Sequence, residues 1–163
     1  MIFKGRALCF GDNITTDNIT PTKYKEFNFT MRDYAEHMME DIRPGFFNEI
    51  KPGDFIVAGS NFGCGSSRES AAAAILEAGI SGVFAKSFSR TFLRNCVAIG
   101  LPLFECDTTP IKEGDHLEMD VDTSILKLPD QEIRVTPFPP ALLEVVLSGG
   151  MLKYFMEHGE FKV

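Results

Sequence analysis

The stretch "DFIVAGSNFGCGSSRESAAAAILEAGISGVFAKS", Asp54–Ser87, decides the fold. "DFIVAG" is a short apolar run after Pro52-Gly53 and reads as a buried strand. "SRESAAAAILEAGI" reads as a helix stopped by Gly79, and "SGVFAKS" as a second strand opened by Gly82. The pattern continues beyond Ser87. "RTFLRNCVAIG" reads as a second helix, with Phe88, Phe92 and Cys96 on one face at steps of four, and "LPLFEC" as a third strand. Strand–helix–strand–helix–strand with short links predicts a parallel sheet with right-handed crossovers.

Further on the grammar changes. "HLEMDV" alternates Leu117, Met119 and Val121 with polar residues, and "SILKL" and "EIRVT" follow across short turns. This is the pattern of antiparallel strands with one solvated face. "PALLEVVLSGG" and "MLKYFMEHG" read as two short helices divided by Gly149-Gly150. The expected class is α/β, a β/β/α sandwich with a parallel βαβαβ core and a smaller antiparallel sheet. With no repeats and no low-complexity linker, residues 1–163 are expected to form a single domain. Between Tyr24 and Asn48 an excursion rich in Phe, Met and Tyr predicts one helix near Met31–Glu40, broken by Arg43-Pro44-Gly45.

A net charge of −7 argues against a general nucleic-acid or anionic-membrane binder, because either requires a positive field. No apolar run reaches membrane-span length and "MIFKGRALCFGD" lacks a signal-peptide core, so a cytoplasmic protein is expected. Cys9, Cys64, Cys96 and Cys106 show no Cys-x-x-Cys spacing, and His37, His116 and His158 are scattered. The chain is therefore expected to hold no metal of its own.

The glycine–serine loop inside the opening stretch admits two readings. Ser66-x-x-Glu69 matches a capping box, with the glycines serving only the turn. That leaves Ser67, Arg68 and the Gly63-x-Gly65 pair without a purpose. In the second reading, a glycine-rich turn after a parallel strand presents backbone amides and a helix N-terminus at the sheet's carboxyl edge, where anions bind. Arg68 adds a planar fork suited to a carboxylate, and a serine among those amides has its alkoxide stabilised. Rival motifs fail on the letters: there is no Gly-x-Ser-x-Gly elbow, no Gly-Lys-Ser/Thr loop, and no histidine in sequence near Cys64. A second segment, "FGDNITTDNITPTKY" (Phe10–Tyr24), reads either as a run of Asx and Thr turns or as the carrier of Asp17 into a shared cleft.

Together these segments resemble the small subunits of 3-isopropylmalate dehydratases and, more broadly, the aconitase swivel domain. "GDNITTDNITP" looks like the family's Thr-Asp-x-Ile-x-Pro motif. "RPGFFNEIKPGDFIVAGSNFGCGSSRES" looks like its Arg-Pro-x-Phe stretch and active-site loop, and "SFSRTFLRNCVAIGLPL" looks like the segment that follows. The resemblance implies a swivelling β/β/α sandwich and a hydro-lyase that isomerises a hydroxy-acid by dehydration and rehydration. It also implies a [4Fe-4S] cluster held by a separate large catalytic subunit, in a heterodimer or heterotetramer, and a small di- or tricarboxylate substrate. By similarity Ser66 is the base, Arg68 holds a substrate carboxylate, Ser67 helps to orient it, and Asp17 is the acidic residue; the Gly65 amide is a physical addition. The chain departs from the family at Ser70, where histidine is frequent, and in "KYKEFNF" (Lys23–Phe29), which has neither the leucine after Tyr24 nor the arginine of homoaconitases. Phe27 and Phe29 suit an apolar substituent, whereas Lys23 and Lys25 suit a carboxylate. 3-Isopropylmalate is therefore the first choice of substrate, with homoaconitate or a methylated malate as alternatives and a non-catalytic carboxylate-binding module as the alternative of another class.

Overall fold

The computed structural model describes residues 1–24 and 27–160. The chain opens with β1 (Ile2–Cys9), a one-turn helix α1 (Thr16–Ile19), a 3-10 turn over Thr22–Tyr24, and two short helices, α2 (Met31–Glu36) and α3 (Phe46–Glu49). The stretch that decided the fold follows as β2 (Phe55–Val57), α4 (Glu69–Glu77) and β3 (Gly82–Ala85), continued by α5 (Arg90–Ile99) and β4 (Leu103–Glu105). Three more strands, β5 (His116–Asp120), β6 (Ile125–Lys127) and β7 (Glu132–Arg134), precede α6 (Pro140–Leu147) and α7 (Met151–His158).

β2, β3 and β4 pair in parallel, as the strand–helix alternation predicts, and β1, which the sequence reading did not identify as a strand, adds to β2 in the same sense. β5, β6 and β7 pair antiparallel. The antiparallel part is not detached, because all seven strands form one sheet in the order β4-β3-β2-β1-β5-β6-β7. β1 joins the two parts by changing partner along its length. Ile2 to Arg6 pair with β5, while Ala7 to Cys9 pair with β2. The crossing is tight at Gly5, where a Cβ would stand 2.0 Å from the Gly53 carbonyl oxygen.

The alternation of side chains along the strands then builds three layers. Leu8, Ile56, Val83 and Leu103 face the helices, where they meet Ala71, Ala74 and Ile75 of α4 and Phe92 and Cys96 of α5. Ala7, Phe55, Phe84 and Phe104 face the other way and pack on Leu117, Met119 and Leu126 of the antiparallel strands. Phe84 stacks on Phe104 at 4.8 Å and meets Phe55 edge-on at 5.1 Å, pairs worth about 0.5–1.5 kcal/mol beyond burial. The alanines of α4 suit their place because a small side chain lets the helix lie close to the sheet.

Some element boundaries differ from the sequence reading. α4 starts at Glu69, and the helix expected over Met31–Glu40 ends at Glu36, before Met39 adopts a left-handed φ of 60°. No helix among the described residues is long and apolar enough to cross a membrane.

Candidate active site

The two motif-bearing loops leave the carboxyl ends of neighbouring parallel strands, β1 and β2, and stay zipped together beyond them. Gly59 N donates to Gly11 O (3.0 Å), Asn13 N to Ser60 O (2.8 Å), Gly63 N to Ile14 O (2.8 Å) and Thr16 N to Cys64 O (2.9 Å). Asn61 Nδ2 donates to Asn13 Oδ1 at 3.0 Å, and the Thr16 hydroxyl donates to the Ser66 carbonyl at 2.7 Å. Gly63 makes this possible on the core side: its φ is +76°, and a Cβ there would lie 2.2 Å from Phe92 Cγ. Ser89, the N-cap of α5, donates its hydroxyl to Gly63 O at 2.8 Å and so holds the loop from below.

α1 begins with a capping box in which Thr15 Oγ1 accepts from Asn18 N and Asn18 Oδ1 accepts from Thr15 N. It thereby carries Asp17 to the Gly-Ser-Ser-Arg loop. Arg68 Nη2 lies 2.5 Å from Asp17 Oδ1 and also donates to Thr22 Oγ1 at 3.2 Å, while Nη1 donates to Thr20 O at 2.8 Å. The Arg68 side chain is 11% exposed, and its buried Nε–H has no acceptor among the described residues. The guanidinium is thus preorganised but partly committed. A substrate carboxylate reaching it must use the remaining N–H groups or exchange with Asp17, the acceptor that resembles it chemically.

The capping-box reading of Ser66 is overturned. The N-cap of α4 is Arg68, and no side chain caps this helix. The chain is drawn out to Arg68 because that side chain reaches towards Asp17, Thr20 and Thr22, which delays the first helical turn until Glu69. Gly65, Ser66 and Ser67 form an exposed rim over the uncapped helix end, with Gly65 left-handed at φ +94°. A helix start without a capping side chain leaves amides free for an anion, and its dipole favours one.

The segment after Pro21 lies beside this rim, because Thr20 and Thr22 both hold Arg68. Within it, Lys23 does not stand free: Nζ lies 2.6 Å from Glu40 Oε1 and 2.9 Å from Asp41 Oδ1. The Tyr24 hydroxyl also donates to Glu40 Oε1, and His37 Nδ1 lies 2.6 Å from Glu40 Oε2. Burial pushes the Glu40 pKa up, but hydrogen bonds from Lys23, Tyr24 and His37 outweigh it and hold it at about 2. The same contacts with Glu40 and Asp41 raise the Lys23 pKa. Phe27 is 61% exposed and leans on Tyr24 and Phe29, whose rings stack at 4.7 Å. Lys25 lies outside the described residues. Sequence reading missed Thr16, Thr20 and Thr22 as holders of the loop, although their crowding in "NITTDNITPT" was visible. It also missed Glu40 and His37, for which no local signal exists.

Cys9, Cys96 and Cys106 are held in the thiol form rather than as the thiolates that an iron–sulfur cluster takes. Cys96 and Cys106 are buried, and burial raises both thiols, Cys106 to about 12. Burial and the nearby Glu113 carboxylate push Cys9 to about 11. No group of three or more His, Cys, Asp or Glu side chains among the described residues converges as a metal site.

A curled mixed sheet whose parallel edge carries an arginine, preceded by two serines and clasped by an aspartate, defines a class, and comparison identifies it. The chain belongs to the aconitase C-terminal domain family, whose model matches residues 12–105. More particularly, it is similar to 3-isopropylmalate dehydratase small subunit 2 of Archaeoglobus fulgidus, at 47% identity over 161 residues, covering 98% of each chain. 3-Isopropylmalate dehydratase small subunit 1 of Thermotoga maritima is 43% identical over 163 residues, again covering 98% of each. The crystal structure of a 3-isopropylmalate dehydratase from Methanocaldococcus jannaschii superposes with a TM-score of 0.93 at 40% identity, over 98% of this chain and 96% of that one.

Proposed function

We propose that the chain is the small subunit of a 3-isopropylmalate dehydratase, a cytoplasmic hydro-lyase that isomerises a hydroxy-acid by removing and re-adding water. The observation that carries this reading is the clasp between the two loops. It sets Arg68 against Asp17 beside the exposed Ser66–Ser67 rim, in a chain that matches dehydratase small subunits over nearly its whole length. In this reading the single domain swivels its rim onto a large subunit, which completes the site and holds the [4Fe-4S] cluster. An open rim is what such an arrangement requires of this half.

Within that site each residue of this chain has one task. Arg68 takes a substrate carboxylate, in exchange with Asp17 or beside it, and Ser67 orients that carboxylate. Ser66, aided by the Gly65 and Ser66 amides at the uncapped end of α4, takes the proton from the carbon next to the carboxylate. An oxyanion at a helix N-terminus is stabilised by the dipole and unpaired amides, which lowers the cost of forming it. The engagement of Lys23 by Glu40 and Asp41 and the exposure of Phe27 favour an apolar substituent, hence isopropylmalate over a substrate with a third carboxylate.

The test is anaerobic reconstitution with the large subunit. The chain alone is expected to show no dehydration of 3-isopropylmalate, and the assembled complex to show full turnover. A complex that assembles yet turns over none of isopropylmalate, methylated malates or homoaconitate sinks the assignment.

A further inference from the structure

Thr22, Lys23, Tyr24, Phe27 and Phe29 divide their polar and apolar contacts. Thr22 and Thr20 hold Arg68, which places the segment directly beside the anion clamp. The Lys23 ammonium and the Tyr24 hydroxyl both turn to one oxygen of Glu40, and His37 takes the other. Glu40 is supplied from beyond α2, by a chain that turns back after Met39. His37 then covers the other parts of the cluster, lying 4.6 Å from the Tyr24 ring and 5.5 Å from Phe29. The Phe27 ring is exposed and rests on Tyr24 and Phe29, next to the exposed Asn28.

We propose that Glu40 is a specificity-determining positioning residue: by holding Lys23 and Tyr24 it withdraws the Lys23 ammonium from the substrate and leaves an aromatic face beside Arg68. This rests on the reading of the chain as a dehydratase subunit. The physical basis is the asymmetry between the two kinds of discrimination. An apolar face accepts an alkyl substituent and rejects a third carboxylate, because that carboxylate loses its water without gaining a partner. A lysine free to swing on its four-carbon stem would supply that partner. Glu40, with Asp41 behind it, outbids the substrate for the ammonium before the substrate arrives. The chain thus carries a cation suited to a tricarboxylate and keeps it occupied.

Two measurements test this. In the isolated chain, the acylation rate of Lys23, read by peptide mass spectrometry, is expected to rise several-fold in Glu40→Ala and by less in Glu40→Gln. Glu40→Gln keeps an oxygen that accepts from Tyr24 and, more weakly, from Lys23, while removing the charge. In the reconstituted complex, the kcat/KM ratio for isopropylmalate over a hydroxy-tricarboxylic acid is expected to fall by about tenfold in Glu40→Ala, and in the same direction in Glu40→Gln. Adding Lys23→Ala to either variant should restore the ratio, which a general loosening of the segment would not do. Unchanged Lys23 reactivity in both variants overturns the proposal, and so does a ratio shift that persists without Lys23. A wild-type complex inactive on every hydroxy-acid overturns the functional reading instead, while the acylation rates still decide whether Glu40 withholds Lys23.

Discussion

Ser66 and Arg68 are neighbours with separable duties. Because the Ser66 side chain caps nothing, Ser66→Ala should leave stability within about 0.5 kcal/mol of wild type by thermal unfolding. Acting as a general base, it should matter chiefly in the transition state. The same substitution is therefore expected to lower kcat roughly 10²–10⁴-fold with KM little changed. Arg68→Lys keeps the charge and loses the planar fork that spans Asp17, Thr20 and Thr22. Its KM should rise by about tenfold or more, and steady-state kinetics on the complex separates the two signatures. The serines, the arginine and Asp17 could be named as candidates from the letters, because a carboxylate site at a strand–helix turn would call for glycines, hydroxyls and a cation within a few residues; the structure brings Arg68 to Asp17. Glu40 was not legible, because its meaning comes from a hydrogen bond to Tyr24 across 16 residues that only the fold closes.

Among the elements, β2 owes its position to a carboxylate at its foot. Asp54 is 3% exposed and accepts from Arg6 Nη2 at 2.5 Å, Arg6 Nε at 3.1 Å, Arg6 N at 3.2 Å and Lys51 N at 2.9 Å. Burial alone would raise its pKa, but the Arg6 side chain and the two amides outweigh burial and leave it below the ordinary 3.8. A folded pKa below the unfolded one gives stability that is complete above 3.8 and is lost as pH falls towards the folded value. Asp54→Asn should therefore cost about 3 kcal/mol at pH 7 in urea unfolding, and the gap from wild type should narrow below pH 3.8.

The elements that the sequence revealed are those with one environment along their length, such as α5 with its buried face and β3 with every residue buried. β1 escaped because "IFKGRALC" has two environments: exposed and half-buried residues where it pairs with β5, and buried Ala7 and Leu8 where it meets β2. The one-turn helices α1 and α3 escaped because four residues hold too little periodicity to read. α2 stops short of Glu40 because the residues after it are turned back to meet Lys23 and Tyr24, a tertiary demand that overrides helix propensity.

At the scale of the whole molecule the curl of the sheet hangs on Gly5. Any side chain there meets the Gly53 carbonyl, which is backbone and has little freedom to move aside. Gly5→Ala should thus destabilise by about 1–3 kcal/mol, seen as a lower Tm, although the residue is not among the candidate site residues. The composition and the alternation of strands and helices made the α/β class legible. They did not show that the antiparallel layer shares a strand with the parallel one, because nothing in an alternating pattern names a strand's partner.

The divided pairing of β1 also has a consequence in time. Ala7 to Cys9 find their partners near residue 55, but Ile2 must wait for Asp120, a contact that closes most of the chain into a loop. Closing long loops is slow because their entropy is spent before the contacts form, so the helix-backed parallel half is expected to assemble first and the antiparallel layer last. During that interval the first half of β1 is an open strand edge beside the bare Phe55, Phe84 and Phe104 rings. Such an edge is a template for another chain as readily as for β5, which makes this the stage at which the protein is most exposed to self-association.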